Sequence, residues 1–226
     1  NAEEAPEKKR YILEHSEASA VLCWEGSFEE LKQLQGELPA LRHVVALEDA
    51  TEHGSFTIAE HAGLDGASRH VQSLPPHLLD EALIVYTSGT TGPPKGVVLT
   101  AENLLIDADA IGQWHRFGPQ DRLMCVLPIH HVNGIVVTLV TPFYCKGTAV
   151  LNRKFKTGLF SKRLHEEQVT CVSVVPTLLE FLLEANEDLT PYHLHPFGGF
   201  ICGAGPLLKD TAARFEDRFG FPIRHG

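Results

Sequence analysis

The sequence predicts an α/β fold in which mostly parallel β-sheets are flanked by helices. Short apolar runs rich in branched residues recur along the chain, and amphipathic segments with helix-end signals lie between several of them. Strands and helices that alternate at this spacing form a largely parallel sheet, because each crossover packs a helix on a face of the sheet. The runs predicted as buried strands are AVLC at 20, HVVAL at 43, ALIVY at 82, LMCVL at 123, TAVL at 148, TCVSVV at 170 and GFIC at 199.

The intervening helices are predicted from residues that favour helix ends. SFEELKQLQG offers Ser27 and Glu30 as a capping box and Gly36 as a stop. PTLLEFLLEAN begins with Pro176, whose missing N–H has no helical partner in the first turn anyway. PLLKDTAARFEDRFG ends at Gly220, which can adopt the left-handed conformation that closes a helix.

Two irregular segments interrupt the predicted pattern of strands and helices. The chain is predicted to form two similar layered α/β subdomains, at 1–117 and 118–226. The stretch 49–77 is polar and weakly periodic, so it is predicted as loop with at most one short helix. A helix at about 101–114 then gives way through Gly118 to the next strand.

Composition excludes several classes of function. The 226 residues are 43% hydrophobic and 21% charged, as in ordinary globular proteins, and 19 basic against 29 acidic side chains give a net charge of −10. This charge disfavours general binding to nucleic acid or anionic membranes. The longest strongly apolar stretch, 134–145, is well below the ~20 residues of a membrane-spanning helix, so no span is predicted.

The N-terminal residues and the cysteines favour a cytoplasmic protein. NAEEAPEKKR has neither the apolar core of a signal peptide nor the acid-poor character of a transit peptide. The five cysteines are scattered and form no Cys-x-x-Cys pair, so we predict reduced, mostly buried thiols and no metal ligands among them.

The most unusual segment is YTSGTTGPPKG, residues 86–96, which directly follows a predicted strand. Glycines let main-chain amides approach an anion, hydroxyls add donors, and Lys95 supplies a positive charge. Gly96 stands where the common P-loop has the hydroxyl that ligates magnesium, so any metal must be held elsewhere. The alternative is a solvated glycine-rich turn between two strands.

Residues 84–96 resemble the phosphate-loop signature of the adenylate-forming superfamily, which contains acyl-CoA synthetases, adenylation domains of nonribosomal peptide synthetases and beetle luciferases. The resemblance implies that Lys95 is catalytic and neutralises the departing pyrophosphate. The residues it assigns to the β- and γ-phosphates of ATP are Thr87, Ser88, Gly89, Thr90, Thr91 and Gly92.

Two downstream segments are similar to further motifs of this superfamily. VLPIHHVNG, residues 126–134, resembles the motif whose histidine lines the acid pocket, which implies this catalytic role for His131. By residue type alone, a histidine that lies in the core or caps a helix is the preferred interpretation of this pair. CGAGPLL, residues 202–208, resembles a Gly-Gly-Ala-Pro-Leu turn that passes close to adenine and the acyl group, although an ordinary tight turn is the alternative. The residues that fill this turn are Gly203, Ala204, Gly205 and Pro206.

The resemblance implies that the complete protein is an acyl-CoA synthetase. Such an enzyme uses ATP and Mg²⁺ to convert a carboxylic acid, here predicted to be a fatty acid, to an acyl-adenylate, and then forms a thioester with CoA. Two alternatives stay open: an adenylation domain that activates an amino acid, and a non-catalytic nucleotide-binding fragment. A carrier-protein thiol as acceptor in place of CoA also stays open, and the oligomeric state is not predicted.

The resemblance also implies that this chain is a piece of a large N-terminal domain. In the superfamily, the segment that matches IRHG continues into Tyr-Gly-x-Thr-Glu, which supplies the carboxylate that binds magnesium. We therefore expect the metal-binding carboxylate beyond Gly226, no metal site within the chain, and no activity of the fragment alone.

Overall fold

The structure, a computed structural model, describes residues 4–49, 56–62, 77–87, 92–152, 155–185, 187–189 and 191–225. The chain forms two compact units, the first made of Asn1–Pro76 and Tyr86–Val98 and the second of His77–Val85 and Leu99–Gly226. The predicted boundary at residue 117 differs from this division, because residues 99–117 group with the second unit.

The first unit begins with a three-stranded sheet and two helices. The strand order is β1-β2-β3, in which β1 and β2 are parallel and β2 and β3 antiparallel. The elements are α1 (Pro6–His15), β1 (Ala20–Trp24), α2 (Phe28–Glu37), β2 (His43–Asp49) and β3 (Phe56–Ala62).

The core of this unit forms where α2 packs on the sheet. Phe28 and Leu31 of α2 contact Val44 and Ala46 of β2, and all four are buried. These β2 residues alternate along the strand, so they lie on one face of the sheet. The other face of β1 is open: Leu22 is 69% exposed, so the prediction of a buried strand is wrong for β1.

The predicted capping box of α2 does not form. Ser27 closes a 3₁₀ turn over Glu25–Ser27 and has φ −106° and ψ 0°, so its side chain makes no hydrogen bond to the helix. Glu30 instead pairs with Lys9 of α1, with Nζ and Oε2 2.9 Å apart. The helix also runs past Gly36, the predicted stop, to Glu37.

Strand β3 lies in a stretch that was predicted as loop. Its backbone pairs with β2 in a register that joins Val44 to Ala62 and Asp49 to Phe56. The polar residues of the segment hide the strand pattern, and only the neighbouring strand provides the hydrogen-bond partners that stabilise it. Residues 50–55 and 63–76 of the predicted loop lie outside the described part of the chain.

Strands β4 (Glu81–Tyr86) and β5 (Gly96–Thr100) form a two-stranded sheet, and helix α3 (Ala101–His115) follows. Ile84 is 39% exposed, so β4 is also less buried than predicted. The capping box lies here instead: Thr100 Oγ1 accepts from the N–H of Asn103 at 3.2 Å, and Asn103 Oδ1 accepts from the N–H of Thr100 at 3.0 Å. Thr100 is extended, which lets its side chain reach the first turn.

The second unit is built on a five-stranded parallel sheet with the order β10-β9-β8-β6-β7. After Cys125 the chain forms a π-helix, Asn133–Val140, that continues into α4 (Thr141–Tyr144). The other elements are β6 (Arg122–Cys125), β7 (Thr148–Leu151), α5 (Thr157–Glu166), β8 (Cys171–Val174), α6 (Pro176–Ala185), β9 (Phe200–Cys202), α7 (Lys209–Phe219) and β10 (Ile223–His225).

Both faces of this sheet are covered, as expected for parallel strands. Successive residues alternate between faces, so Met124 and Val172 belong to one core cluster while Leu123 and Cys171 belong to another. The larger cluster contains buried side chains from three helices: Phe160 and Leu164 of α5, Leu179 and Leu182 of α6, and Phe215 of α7.

The helix-end signals of this unit are confirmed. Helix α6 begins at Pro176, and α7 ends before Gly220, which has φ 70° and so adopts the left-handed conformation predicted for it. Among the described residues, each helix falls short of the length and apolar character needed to cross a bilayer.

Strand order reverses between β6 and β8. From β6 the chain adds β7 on one side and then returns to place β8 on the other. In open parallel sheets, the carboxyl ends of the strands at such a reversal border a crevice that commonly binds ligands. The segments that follow β6 and β8 are therefore the first place to look for a site.

Gly134, in the segment that follows β6, provides a test of the fold. A Cβ at Gly134 would lie 2.5 Å from the carbonyl oxygen of Pro128, so Gly134→Ala must displace backbone and should destabilise the protein by about 1–3 kcal/mol. At Gly158 in α5 a Cβ meets no atom within 4 Å, so Gly158→Ala should stabilise by about 0.5–1 kcal/mol. Urea unfolding measures the change in the free energy of unfolding for both variants. Equal changes would contradict the close approach of Gly134 to the carbonyl of Pro128.

Candidate functional site

The base of the glycine-rich loop is closed by two hydrogen bonds in the first unit. The N–H of Thr87 donates to the carbonyl of Lys95 at 3.0 Å, and the N–H of Lys95 donates to Thr87 Oγ1 at 3.3 Å. Gly92 lies on the exposed part, where a Cβ would meet no atom within 4 Å. The other predicted phosphate-binding residues, Ser88, Gly89, Thr90 and Thr91, lie outside the described residues.

The side chain of Lys95 is available to an anion. The residue is exposed, and among the described residues no carboxylate lies within 4.0 Å of its ammonium. An unpaired ammonium at the end of a glycine-rich loop can pair with phosphate oxygens without first breaking an internal ion pair.

In the second unit, His131 lies in a tight turn that directly follows β6. Its N–H donates to the carbonyl of Pro128 at 3.1 Å, and its own carbonyl accepts from the N–H of Ile135 at 3.1 Å. His130 and His131 are both exposed, and their ring centroids are 4.3 Å apart. The histidine pair is therefore at the surface, which removes the alternative of a core histidine pair and leaves that of a helix-capping histidine open.

Buried groups beneath this turn fix its backbone. The thiol of Cys125 donates to the carbonyl of Leu127 at 3.3 Å and approaches that of Gly134 at 3.7 Å. Burial raises the pKa of the Cys125 thiol, so it stays protonated and remains a donor. Thr138 Oγ1 also donates to the carbonyl of Gly134, at 2.7 Å. Hydrogen bonds from the buried Cys125 and Thr138 thus stabilise the backbone of the turn without the help of solvent.

A side-chain hydrogen bond joins the turn to the next strand across the reversal point. The hydroxyl of Ser173, in β8, donates to Asn133 Oδ1 at 2.7 Å, and Ser173 is 1% exposed. This bond orients the amide of Asn133 and leaves its Nδ2 without a protein partner among the described residues. Neither residue is predicted from the sequence, although a serine inside the apolar run TCVSVV is an available signal.

The predicted adenine turn follows β9 on the far side of β8. The N–H of Gly203 donates to the carbonyl of Val174 at 3.2 Å, which ties the turn to β8. Ala204 has φ 61°, an uncommon conformation for a residue with a Cβ, and Gly205 passes close to Pro176. Gly203 is buried, whereas Ala204 and Pro206 are exposed. The turn is therefore held to the strand while its outer residues remain accessible.

The parallel sheet brings these second-unit segments to one edge. His131 and Asn133 follow β6, Pro176 follows β8, and residues 203–206 follow β9. Neighbouring strands are about 4.8 Å apart, so the segments after β6 and β9 are separated by about 10 Å across the sheet. The exposed His131 and the exposed residues Ala204 and Pro206 therefore lie at the same edge of one sheet.

Comparison with known proteins identifies the family. A family model described as "AMP-binding enzyme" matches residues 1–226. The chain belongs to the AMP-binding enzyme family. The resemblance to adenylate-forming enzymes that rests on residues 84–96 is thereby confirmed.

Curated relatives of the chain are named CoA ligases. The sulfoacetate–CoA ligase of Cupriavidus necator is 35% identical over 225 residues, which cover 96% of this chain and 41% of that protein. The 2-succinylbenzoate–CoA ligase of Bacillus licheniformis is 32% identical over 199 residues, which cover 88% of this chain and 37% of that protein. The chain thus spans about two fifths of the length of these relatives.

The fold agrees with a solved member of the family. The apo structure of MatB from Rhodopseudomonas palustris superposes with a TM-score of 0.80 at 25% identity, and the match covers 100% of this chain and 43% of that one. The predicted α/β fold with mostly parallel strands is therefore confirmed. The roles assigned to individual residues of the present chain stay predictions.

The turn at 203–206 carries alanine and glycine in the opposite order to the family pattern, and the backbone shows the consequence. Alanine occupies the position with φ 61°, while a Cβ at Gly205 would meet Pro176 at an ordinary 3.7 Å. Exchanging the two residues leaves the unfolded chain's composition unchanged, so Ala204→Gly with Gly205→Ala should stabilise the protein by about 1 kcal/mol. Urea unfolding measures this, and a destabilised double variant would contradict the left-handed assignment.

Proposed function

We propose that the complete protein containing this chain is an acid–CoA ligase. It uses ATP to convert a carboxylic acid to an acyl-adenylate and then transfers the acyl group to the thiol of CoA. The observation that supports this most is that the exposed His131 turn and the 203–206 turn share the carboxyl edge of one sheet, beside its reversal point. The family and the names of its CoA ligase members support the same chemistry.

In this reaction a carboxylate oxygen of the acid attacks the α-phosphorus of ATP, and the bond to pyrophosphate breaks. The protein's contribution to such transfers is mainly positioning and stabilisation of charge. Thr87, Gly92 and the loop between them would hold the β- and γ-phosphates. The exposed ammonium of Lys95 would neutralise the charge that develops on departing pyrophosphate.

The second unit would hold the acid and the adenine. His131 would orient the carboxylate for attack, and the oriented amide of Asn133 adds N–H donors beside it. Residues 203–206 would seat the adenine, since their small side chains leave the backbone open to a flat ring. In the second half-reaction the thiol of CoA attacks the acyl carbon, and AMP leaves.

The complete protein is expected to use Mg²⁺, and no metal ligand is assigned within this chain. Within the described ranges, no group of three or more His, Cys, Asp or Glu side chains could hold a metal ion. The expectation of a metal-binding carboxylate beyond Gly226 therefore stays a prediction, as do the inactivity of the fragment and the cytoplasmic location.

The structure weakens the argument for a fatty acid. That prediction came from two apolar runs, but their residues Val136, Leu179 and Leu182 are buried in core packing. The side chains exposed after β6 are mixed, since they include the apolar Ile129 and Val132 as well as the histidine pair. Two curated relatives are named for acids that carry a second acidic group, sulfoacetate and 2-succinylbenzoate. We therefore propose a short acid with a second polar group as substrate, with a fatty acid as the second candidate.

Substitution of Lys95 tests the role of the loop. In the complete protein, Lys95→Ala should lower the rate of acid-dependent exchange between ATP and pyrophosphate by about 10²- to 10³-fold, because a positive charge that stabilises the leaving group is lost. Lys156→Ala, which removes another exposed lysine, serves as the control and should leave the rate unchanged. An undiminished rate in Lys95→Ala would refute this role.

A panel of acids in the same exchange assay tests the substrate class. We expect short acids with a second carboxylate or a sulfonate to support exchange at least about tenfold better than long-chain fatty acids, since a hydrogen-bonding site selects strongly for its polar partner. The opposite order would establish the fatty acid. Activity with amino acids alone would favour an adenylation domain, and nucleotide binding without exchange would favour a non-catalytic protein.

A further inference from the structure

We propose that helix α1 holds the two ends of the phosphate loop in place, with Tyr11 and His15 as positioning residues for nucleotide binding. This inference rests on the proposed function, because it gives α1 a role in the affinity of the loop for ATP. Every residue that carries it belongs to the first unit: α1 lies in Asn1–Pro76, and both ends of the loop lie in Tyr86–Val98.

Tyr11 fixes the end of the loop that carries the lysine. Its hydroxyl donates to the carbonyl of Pro94 at 3.0 Å, a contact between residues 83 positions apart. The carbonyl of Pro94 and the N–H of Lys95 belong to one planar peptide group, and that N–H donates to Thr87 Oγ1. Both polar ends of this peptide are therefore engaged, which sets the direction in which the Lys95 side chain leaves the backbone.

His15 holds the other end of the loop through Tyr86. His15 Nδ1 lies 2.9 Å from the hydroxyl of Tyr86, and their rings meet edge to face with centroids 5.7 Å apart. The same hydroxyl also approaches the carbonyl of Ile12 at 3.5 Å. Burial raises the pKa of Tyr86, so its hydroxyl stays protonated and keeps these contacts at neutral pH.

The two contacts act together because they come from one face of α1. Tyr11 and His15 are four positions apart, which places them one above the other on the helix, and their rings stack with centroids 5.3 Å apart. A displacement of either ring therefore disturbs the other. The result is a clamp, defined here as Tyr11, His15 and their partners Pro94 and Tyr86.

Helix α1 contributes little to the core, which distinguishes this role from a purely structural one. None of its residues is fully buried, and only Leu13 packs against the core cluster of the unit. Side-chain pairs from Lys9 and Arg10 to α2 attach the helix to the rest of the unit. The Arg10 pair is exposed and contributes little to stability, whereas the Lys9 pair is partly buried. Since no residue of α1 is fully buried, loosening α1 should affect the loop more than the fold.

Loss of the clamp should weaken ATP binding in particular. A loop whose two ends are fixed loses less freedom when the ligand orders it, and this difference appears directly in the affinity. Removing one hydrogen bond of this kind should raise the dissociation constant for ATP by about 3- to 10-fold. Binding of the acid should not change, because none of the clamp residues belongs to the predicted acid pocket.

The experiment compares Tyr11→Phe with the wild type in the complete protein. Calorimetry gives the dissociation constant for ATP, and the exchange assay gives KM for ATP and for the acid. We expect Tyr11→Phe to raise both ATP constants by about 3- to 10-fold, with KM for the acid unchanged. Tyr192→Phe, which removes a hydroxyl in the second unit, is the matched control and should change none of them.

A second variant, His15→Phe, keeps a ring but removes Nδ1 and should weaken ATP binding in the same way. Unchanged ATP affinity in both variants would overturn the proposal, as would an equal loss of affinity for ATP and acid. If the wild type binds ATP but shows no acid-dependent exchange, the proposed ligase function fails while calorimetry still decides on the clamp. Absence of ATP binding by the wild type would overturn both.

Discussion

The alignment of parallel strands is the constraint on which the second unit depends. All five strands of its sheet run the same way, so every segment that leaves a carboxyl end emerges at the same edge. The order reverses between β6 and β8, and in open parallel sheets such a reversal borders the crevice where ligands commonly bind. His131, Asn133 and the 203–206 turn owe their common location to this arrangement and not to closeness in the sequence.

Hydrogen bonds from buried groups convert this location into a defined geometry. Cys125 and Thr138 hold the carbonyls beneath the histidine turn, and Ser173 orients the amide of Asn133 from the neighbouring strand. Side chains locked in this way can present donors to a ligand with little loss of freedom on binding. The first unit uses a comparable device, since a single peptide group between Pro94 and Lys95 is engaged at both ends.

Sequence reasoning was accurate where the signal is local. The strands predicted from apolar runs all form, and Pro176 and Gly220 mark helix ends as expected, because these preferences arise from the residues themselves. It failed where a partner decides the outcome. Strand β3 depends on pairing with β2, and Glu30 bonds to Lys9 instead of capping its own helix.

The amino-acid sequence alone determined the α/β class, the family through residues 84–96, and the segments that bear the candidate site. Tertiary structure alone decided that Ser173 supports Asn133, that Ala204 is left-handed, and that Tyr11 and His15 contact the ends of the phosphate loop. The physical reason is the distance along the chain over which each interaction acts. Conformational preferences act between near neighbours in the chain, whereas hydrogen bonds between residues 40 to 83 positions apart exist only after the backbone has folded.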